Sequence, residues 1–359
     1  MKIAIFGTRG IPNHYGGFEQ FAQYLSEGLC QMGHEVFVYN SHNHPYKKNK
    51  WNEVNIIHCY DPEFKLGSIG QFIYDLNCTL DSRKRNFDVI LQLGYTSSSV
   101  WNWLFKHNSK LFTNMDGLEW KRTKFSGPVS LFLKYAEKLA VKHSNVLISD
   151  SLGIQAYLQK KYAVKSTYIP YGATVFNSPN KVILSEFNII PFNYDLLIAR
   201  IEPENNVKTI IDAFVKSNVK RKLLVIGNMN TKLGKKIQSN VDDSRVVFLG
   251  YVADIQKLNN LRFYSNLYFH GHTVGGTNPS LLEAMASSAL ICSHKNIFNS
   301  SILNDDAIYF TNQEQLINII EFCHKSDYQN LYLNNKDKIE KKFYWKKIIS
   351  DYEELLTRF

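Results

Sequence analysis

The sequence predicts an α/β protein of two doubly wound domains in tandem, with their ligand edges facing across a cleft. Three observations predict it. Short apolar runs of strand type alternate with helix-period patterns along nearly the whole chain. The alternation breaks once, in a polar stretch at 174–191 containing Asn177, Pro179, Asn180 and Pro191, and then restarts. Glycine-bearing loops follow several runs and lead into helices, which places ligands beyond the carboxyl ends of parallel strands. A chain of 359 residues with 44% apolar content suits two such domains, 1–178 and 179–342.

Lys2–Gly7 reads as a buried parallel strand, and not as a secretory signal, because its apolar run ends at once in Gly and Arg. Phe18–Met32 repeats apolar residues at helical spacing, Gly33 ends that helix, and Glu35–Asn40 is the second strand. Residues 41–54 read as a loop or small excursion. Strands follow at Asn55–Cys59, Phe87–Leu93, Lys110–Asn114, Asn145–Ser149 and Ser166–Pro170, with helices over 68–82, 97–106, 127–143 and 151–163. Beyond the break, strands at Tyr194–Ala199, Lys222–Ile226, Val246–Leu249, Asn266–His270, Leu290–Ser293 and Ala307–Phe310 alternate with helices at 206–217, 231–240, 254–261, 279–287 and 312–325. Tyr344–Leu356 is an amphipathic tail helix with aromatic anchors.

No stretch is apolar enough to span a membrane. The five cysteines are scattered without a CxxC pair, as in reduced cytosolic thiols. The net charge of +10 lies mostly in the first half, in clusters such as Lys47/Lys48/Lys50, Arg83/Lys84/Arg85 and Lys121/Arg122/Lys124. Such a half suits an anionic lipid surface or a phosphorylated substrate, and each cluster alone reads as a solvated face. No zinc-finger spacing or RNA-recognition motif favours nucleic acid.

Four loops carry chemistry. GTRGIPNHYGGFEQF lacks the GxGxxG spacing of a nicotinamide site, so Gly16 and Gly17 read either as turn residues or as close backbone approach to a phosphate or sugar. TNMDGLEWKRTKF places Asp116 directly after a strand, followed by Glu119, Trp120, Lys121 and Arg122. Asp116 serves a ligand or caps the next turn; Trp120 stacks on a sugar or packs. In IARIEPENN, Arg200 ends a buried strand, where a cation needs an anion: a ligand phosphate, Glu202 or Glu204. In HGHTVGGTNPSLLEAM, Asn278 stands where an N-cap for the amide of Ser280 or Leu281 belongs, Pro279 opens a helix, and Gly275 and Gly276 precede it. The helix N-terminus suits a phosphate. Glu283, on an otherwise apolar helix, binds something such as a sugar diol or faces water. Gly250–Val252 ends another strand, where Gly250 and Tyr251 could line a nucleobase pocket.

These motifs, together with DSLGIQAYL and IPYGA, span residues 5 to 290 in order and resemble family 4 glycosyltransferases of the GT-B fold, which pairs two Rossmann-like domains. Within that family the likeness is to the bacterial rhamnosyltransferase-like group carrying the domain of unknown function 1972. The tail helix (343–359) resembles the family's last helix, which packs back on the first domain. The resemblance implies retaining transfer of a sugar from a nucleotide donor, with no metal or other cofactor. It gives Glu283 to the donor ribose hydroxyls and Arg200 to the diphosphate. Gly276, Thr277, Asn278 and the neighbouring Ser280 go to the phosphate and donor sugar, and Gly16 and Gly17 to the loop that closes over the phosphates. Asp116, near the reacting carbon, stands where many relatives have histidine, and Glu19, Glu119, Trp120, Lys121 and Arg122 are acceptor-side candidates.

Two positions depart from the wider family. Gly275 replaces a glutamate that contacts donor-sugar hydroxyls, which points to a deoxy sugar. Asn205 replaces a lysine, with Lys208 three residues on as a substitute charge. The expectation is transfer of L-rhamnose from dTDP-rhamnose onto a glycan or lipid-linked intermediate of a capsule-type surface polysaccharide. It would take place in the cytoplasm, with peripheral contact at the inner face of the membrane and no nucleic-acid partner. The alternatives are a UDP- or GDP-hexose donor, or a degenerate protein that binds sugar nucleotides without turnover.

Overall fold

A computed structural model describes residues 1–358 other than 15, 107, 123, 124 and 126. Lys124, of the third basic cluster, is therefore outside the described residues. The chain divides into two compact units. The first comprises Met1–Lys121, Phe125–Tyr171 and Trp345–Phe359; the second comprises Arg122–Lys124 and Gly172–Tyr344. Both are parallel sheets flanked by helices.

In the first unit the strands are β1 (Lys2–Phe6), β2 (Glu35–Ser41), β3 (Lys50–Trp51), β4 (Val54–Cys59), β5 (Val89–Leu93), β6 (Lys110–Asn114), β7 (Val146–Ser149) and β8 (Thr167–Tyr168). Their order is β3-β4-β2-β1-β5-β6-β7-β8, all parallel except the β3–β4 pair. Ile3, Ala4 and Ile5 of β1 are fully buried because helices cover both faces, which is why this strand is apolar without alternation. The 15-residue helix Gly17–Gln31 buries Phe21, Ala22, Leu25 and Leu29, its helical-period face. The tail helix Trp345–Thr357 belongs to this unit: Trp345 stacks on Tyr24 at 4.3 Å, and Tyr352 is buried beside Phe21.

The second unit holds β9 (Tyr194–Ile198), β10 (Lys222–Ile226), β11 (Val246–Gly250), β12 (Tyr268–His270), β13 (Ile291–His294) and β14 (Ile308–Phe310). Their order is β11-β10-β9-β12-β13-β14, fully parallel, so the winding reverses between β9 and β12. Loops after those two central strands meet at the switch point, where such sheets bind ligands.

Several local expectations are corrected. The loop at 41–54 contains β3, which forms a hairpin with β4. Residues 97–106 form a shorter 3-10 turn, Ser99–Leu104. The polar break at 174–191 contains the 3-10 segment Lys181–Phe187, capped by Asn180 and anchored by buried Leu184. Three α-helices lie outside the expected set, the shortest of them Glu63–Leu66. Ile297–Leu303 is nucleated by Asn296, whose Oδ1 accepts from the amides of Phe298 and Asn299 at 3.0 and 3.1 Å. Gln329–Lys342 is mostly polar and buries little beyond Asn335 and Ile339, so its apolar period is faint.

One buried group makes the first unit sensitive to pH. Asp75 is fully enclosed and accepts from Ser97 Oγ at 2.6 Å. Burial, with Asp61 and Glu63 nearby, pushes its carboxyl up to about 7. Folding thus favours the protonated form, and the stability this gives is present at low pH and lost as pH rises through 7. Thermal melts of wild type and Asp75→Asn from pH 5 to 8.5 should diverge, the variant gaining on wild type as pH rises to about 7 and the gap levelling off above it. Parallel curves would show that Asp75 does not titrate there.

Candidate functional site

The second unit's site is built from the loops after β9 and β12. β9 stops at Ile198, so Arg200 stands two residues beyond the strand. Its side chain is 61% exposed, with Glu202 Oε2 at 3.9 Å. The expected buried cation is therefore an exposed one, loosely matched by an acid. The rest of the loop is clipped down. Asn205 is buried, and its Nδ2 donates to the Arg200 carbonyl at 2.8 Å. Asn206 Nδ2 donates to the Gly271 carbonyl at 2.8 Å, and Thr273 donates through both N and Oγ1 to the Glu204 carbonyl at 2.9 Å. A Cβ on Gly271 would lie 2.3 Å from the Asn205 carbonyl oxygen, so only glycine lets the two loops touch. Asn205 thus has a backbone task in place of a lysine's. Lys208 pairs with Asp212 one turn on, along an exposed helix face.

After β12, the rings of His270 and His272 stack at 4.3 Å. Burial lowers His270 to about 3. It also holds His272 well below the usual imidazole range, helped by His270, Arg200 and Arg122. Both rings are neutral at pH 7. Gly275 has φ +146° with open space where a Cβ would sit. The backbone conformation, rather than crowding, therefore disfavours a side chain here. Asn278 Oδ1 accepts from the Ser280 amide at 2.9 Å and caps the helix Pro279–Ala286. Ser280 is spent internally: its hydroxyl lies 2.8 Å from Tyr268 OH and 3.3 Å from Arg262 Nη2. Thr277 is buried and Gly276 half-buried. Gly250 (φ +72°) closes β11, and Tyr251 beyond it is 68% exposed.

Glu283 lies one turn into the helix, its side chain 21% exposed. Arg262 Nη2 donates to its Oε2 at 2.6 Å. Arg262 comes from the helix Ile255–Tyr264, is itself 1% exposed, and also donates from Nη1 to Asn259 Oδ1 at 2.9 Å. Sequence reading missed this arginine, since on a helix reading IQKLNNLRFY it looks solvated.

In the first unit Asp116 has φ +47°, a left-handed conformation unusual for a non-glycine residue. Its amide donates to Asn114 Oδ1 at 3.0 Å, and Asn114 Nδ2 donates to Tyr352 OH at 3.1 Å. The tail helix thus braces the Asp116 turn. Such held strain, of about 1–3 kcal/mol, gathers at functional sites. Trp120 is packed: its Nε1 donates to Glu137 Oε2 at 3.1 Å, and the ammonium groups of Lys134, Lys161 and Lys121 lie 4.7–5.5 Å from its ring centre. Glu137, also missed, is a buried carboxylate that accepts from Tyr157, Tyr162 and Lys161 as well. Glu119 and Lys121 share the short 3-10 turn with Trp120. Glu19 is buried. Its Oε1 accepts from the Arg9 amide at 2.9 Å, and its Oε2 fills the space where a Gly16 Cβ would stand, before Gly17 opens the helix. Arg122 groups with the second unit, where its Nη1 is 3.5 Å from Glu202 and 3.7 Å from Glu204. The acceptor-side candidates Glu19, Trp120 and Arg122 thus each have partners within the protein.

Known proteins match this arrangement. Residues 1–174 match the family described as domain of unknown function (DUF1972), and residues 191–339 match glycosyl transferases group 1. The chain is a glycosyltransferase of the GT-B type. An uncharacterized glycosyltransferase of Methanocaldococcus jannaschii is 22% identical, covering 100% of this chain and 98% of that one. Sucrose-phosphate synthase of Thermosynechococcus elongatus superposes with a TM-score of 0.80 at 16% identity, covering 99% of this chain and 98% of that one. Anabaena HepE, solved with UDP and glucose, superposes at 0.77 and 17% identity over 100% of both chains.

In this glycosyltransferase Arg200, the 275–278 loop, the Pro279–Ala286 helix and Glu283 all belong to the carboxyl edge of one sheet. Restoring the wider family's lysine tests the clip: Asn205→Lys should lower stability to unfolding by about 1 kcal/mol, the worth of the lost bond to the Arg200 carbonyl, which the Glu202 amide still meets. Chemical denaturation measures it. A stable variant that binds nucleotide more tightly would return position 205 to the phosphate site.

Proposed function

We propose that the protein transfers a sugar from a nucleoside-diphosphate donor with retention of configuration and without a metal. The observation that carries this is an exposed Arg200, paired with Glu202 only at 3.9 Å, on the same sheet edge as a capped helix N-terminus and the partly exposed Glu283. Breaking the glycosyl–phosphate bond sends its electron pair to the diphosphate. Arg200 and the helix dipole offset that charge, and a fixed array needs no reorganisation as it develops. Glu283 takes the hydroxyls of the nucleoside sugar, which for a dTDP donor is the 3′-hydroxyl alone. The acceptor oxygen attacks the face that the diphosphate leaves, and its proton passes to a diphosphate oxygen. Asp116, held in its left-handed turn, orients the acceptor hydroxyl or the positive charge on the sugar.

The donor of this reading is dTDP-L-rhamnose. Gly275 carries no carboxylate, and a 6-deoxy sugar presents one hydroxyl fewer to that side. The acceptor is a lipid-linked surface-polysaccharide intermediate, for which the basic first half suits a pyrophosphate or the inner membrane face. Among the described residues no helix is long and apolar enough to cross a membrane, and association would be peripheral. A UDP-hexose donor is the second reading, favoured by the UDP and glucose held in HepE.

Donor hydrolysis and transfer, assayed across dTDP-, UDP- and GDP-sugars, separate these readings. Arg200→Ala, an exposed change, should lower kcat/KM by about 100-fold with an unchanged melting temperature, and EDTA should leave the rate intact. Full activity in Arg200→Ala would remove the phosphate assignment. Nucleotide binding without turnover on any donor would mark a degenerate member.

A further inference from the structure

We infer that Arg262 is a positioning residue for nucleoside recognition, acting through Glu283. This rests on the reading that Glu283 meets the donor ribose. Arg262 touches no face open to a ligand, since its side chain is 1% exposed. Its guanidinium is aimed from three sides: Asn259 Oδ1 holds Nη1 at 2.9 Å, Ser280 Oγ lies 3.3 Å from Nη2, and the same Nη2 reaches Glu283 Oε2 at 2.6 Å. Ser280 is in turn fixed by the hydroxyl of buried Tyr268 at 2.8 Å.

A glutamate one turn into a surface-edge helix has three torsions to order before it can bind a nucleoside hydroxyl. A charge-assisted bond to an immobile donor removes most of that freedom in advance. Pre-ordering of this kind raises affinity without adding a contact to the ligand. A purely stabilising role explains the geometry less well. A buried ion pair is weak support for a fold compared with apolar residues of the same volume. Here one partner is buried and the other is one-fifth exposed at the ligand edge. The consequence is specific: Arg262 matters only for ligands with ribose hydroxyls.

The test uses the full chain and calorimetric Kd values. Wild type, Arg262→Met, Arg262→Lys, Glu283→Gln and the Arg262→Met/Glu283→Gln pair are compared. The probes are dTDP and UDP, each against its 2′,3′-dideoxy counterpart. Wild type should prefer the better-bound natural nucleotide over its dideoxy form by about tenfold, the worth of one hydrogen bond to a charged group. Arg262→Met and Glu283→Gln should each abolish that preference while binding the dideoxy form as wild type does. The double variant should be no worse than either single one, and Arg262→Lys should recover part of the preference. The double variant also avoids a lone buried carboxylate should Arg262→Met fold poorly. A preference kept in Arg262→Met, or equal losses on both probes, overturns the inference while leaving the ribose reading standing. A wild type indifferent to the hydroxyls, or one that binds neither nucleotide, overturns the ribose reading and the inference with it.

Discussion

Putting a guanidinium out of reach of water costs several kcal/mol unless a carboxylate and further acceptors meet it. Arg262 is in that position, and Glu283 is the carboxylate. The pair ties together the two helices on either side of β12, one arriving at that strand and one leaving it. The capped helix N-terminus and the glutamate keep their relative placement because the cation between the helices cannot move without leaving its partners. The site's geometry and the local fold are therefore one interaction. Any change at Glu283 must be judged against the buried charge it uncovers.

A second constraint is the clip between the loops after β9 and β12. Asn206 and Thr273 satisfy the Gly271 and Glu204 carbonyls, and Asn205 adds a second donor to the Arg200 carbonyl, which the Glu202 amide also meets. This changes the meaning of two apparent losses in the sequence. Asn205 reads as a missing lysine, yet its amide does work that an ammonium on a long flexible stem would do poorly. Gly275 reads as a missing glutamate, yet its φ of +146° belongs to a loop path that glycine alone adopts easily. Both departures go with backbone geometry first, and any change in donor choice follows from that.

The strands were legible because burial on both faces leaves continuous apolar runs, and the main loop was legible because Asn278, Pro279 and the glycines each have a local geometric task. What stayed hidden depends on contacts distant in sequence. Arg262 finds Glu283 21 residues away only once β12 turns the chain between them. Glu137 collects partners from three separate segments, and its position on a helix says nothing of them. Trp120 looked like a sugar platform because an exposed-loop tryptophan often is one; its indole N–H is already satisfied by that carboxylate. The helix Gln329–Lys342 is hidden in the sequence because it is mostly polar and its anchoring bonds, from Asn335 to the Asp306 carbonyl and from Lys338 to Asp306, join segments distant in sequence.

Two arginines near one sheet edge show how the same side chain takes opposite roles. Arg262 is costly to bury, is held at both terminal nitrogens by Asn259, Ser280 and Glu283, and so is fixed. Arg200 is cheap to keep in water and is matched only at 3.9 Å, so its guanidinium stays open to solvent. The neighbouring imidazoles reinforce this division. His270 and His272 are held neutral by burial, and for His272 also by Arg200 itself. They add shape and an apolar wall beside the loop without adding charge. The positive charge offered at this edge therefore comes from a guanidinium and a helix terminus. The loop's electrostatics are set by what the fold exposes, and its conformation by what the fold buries.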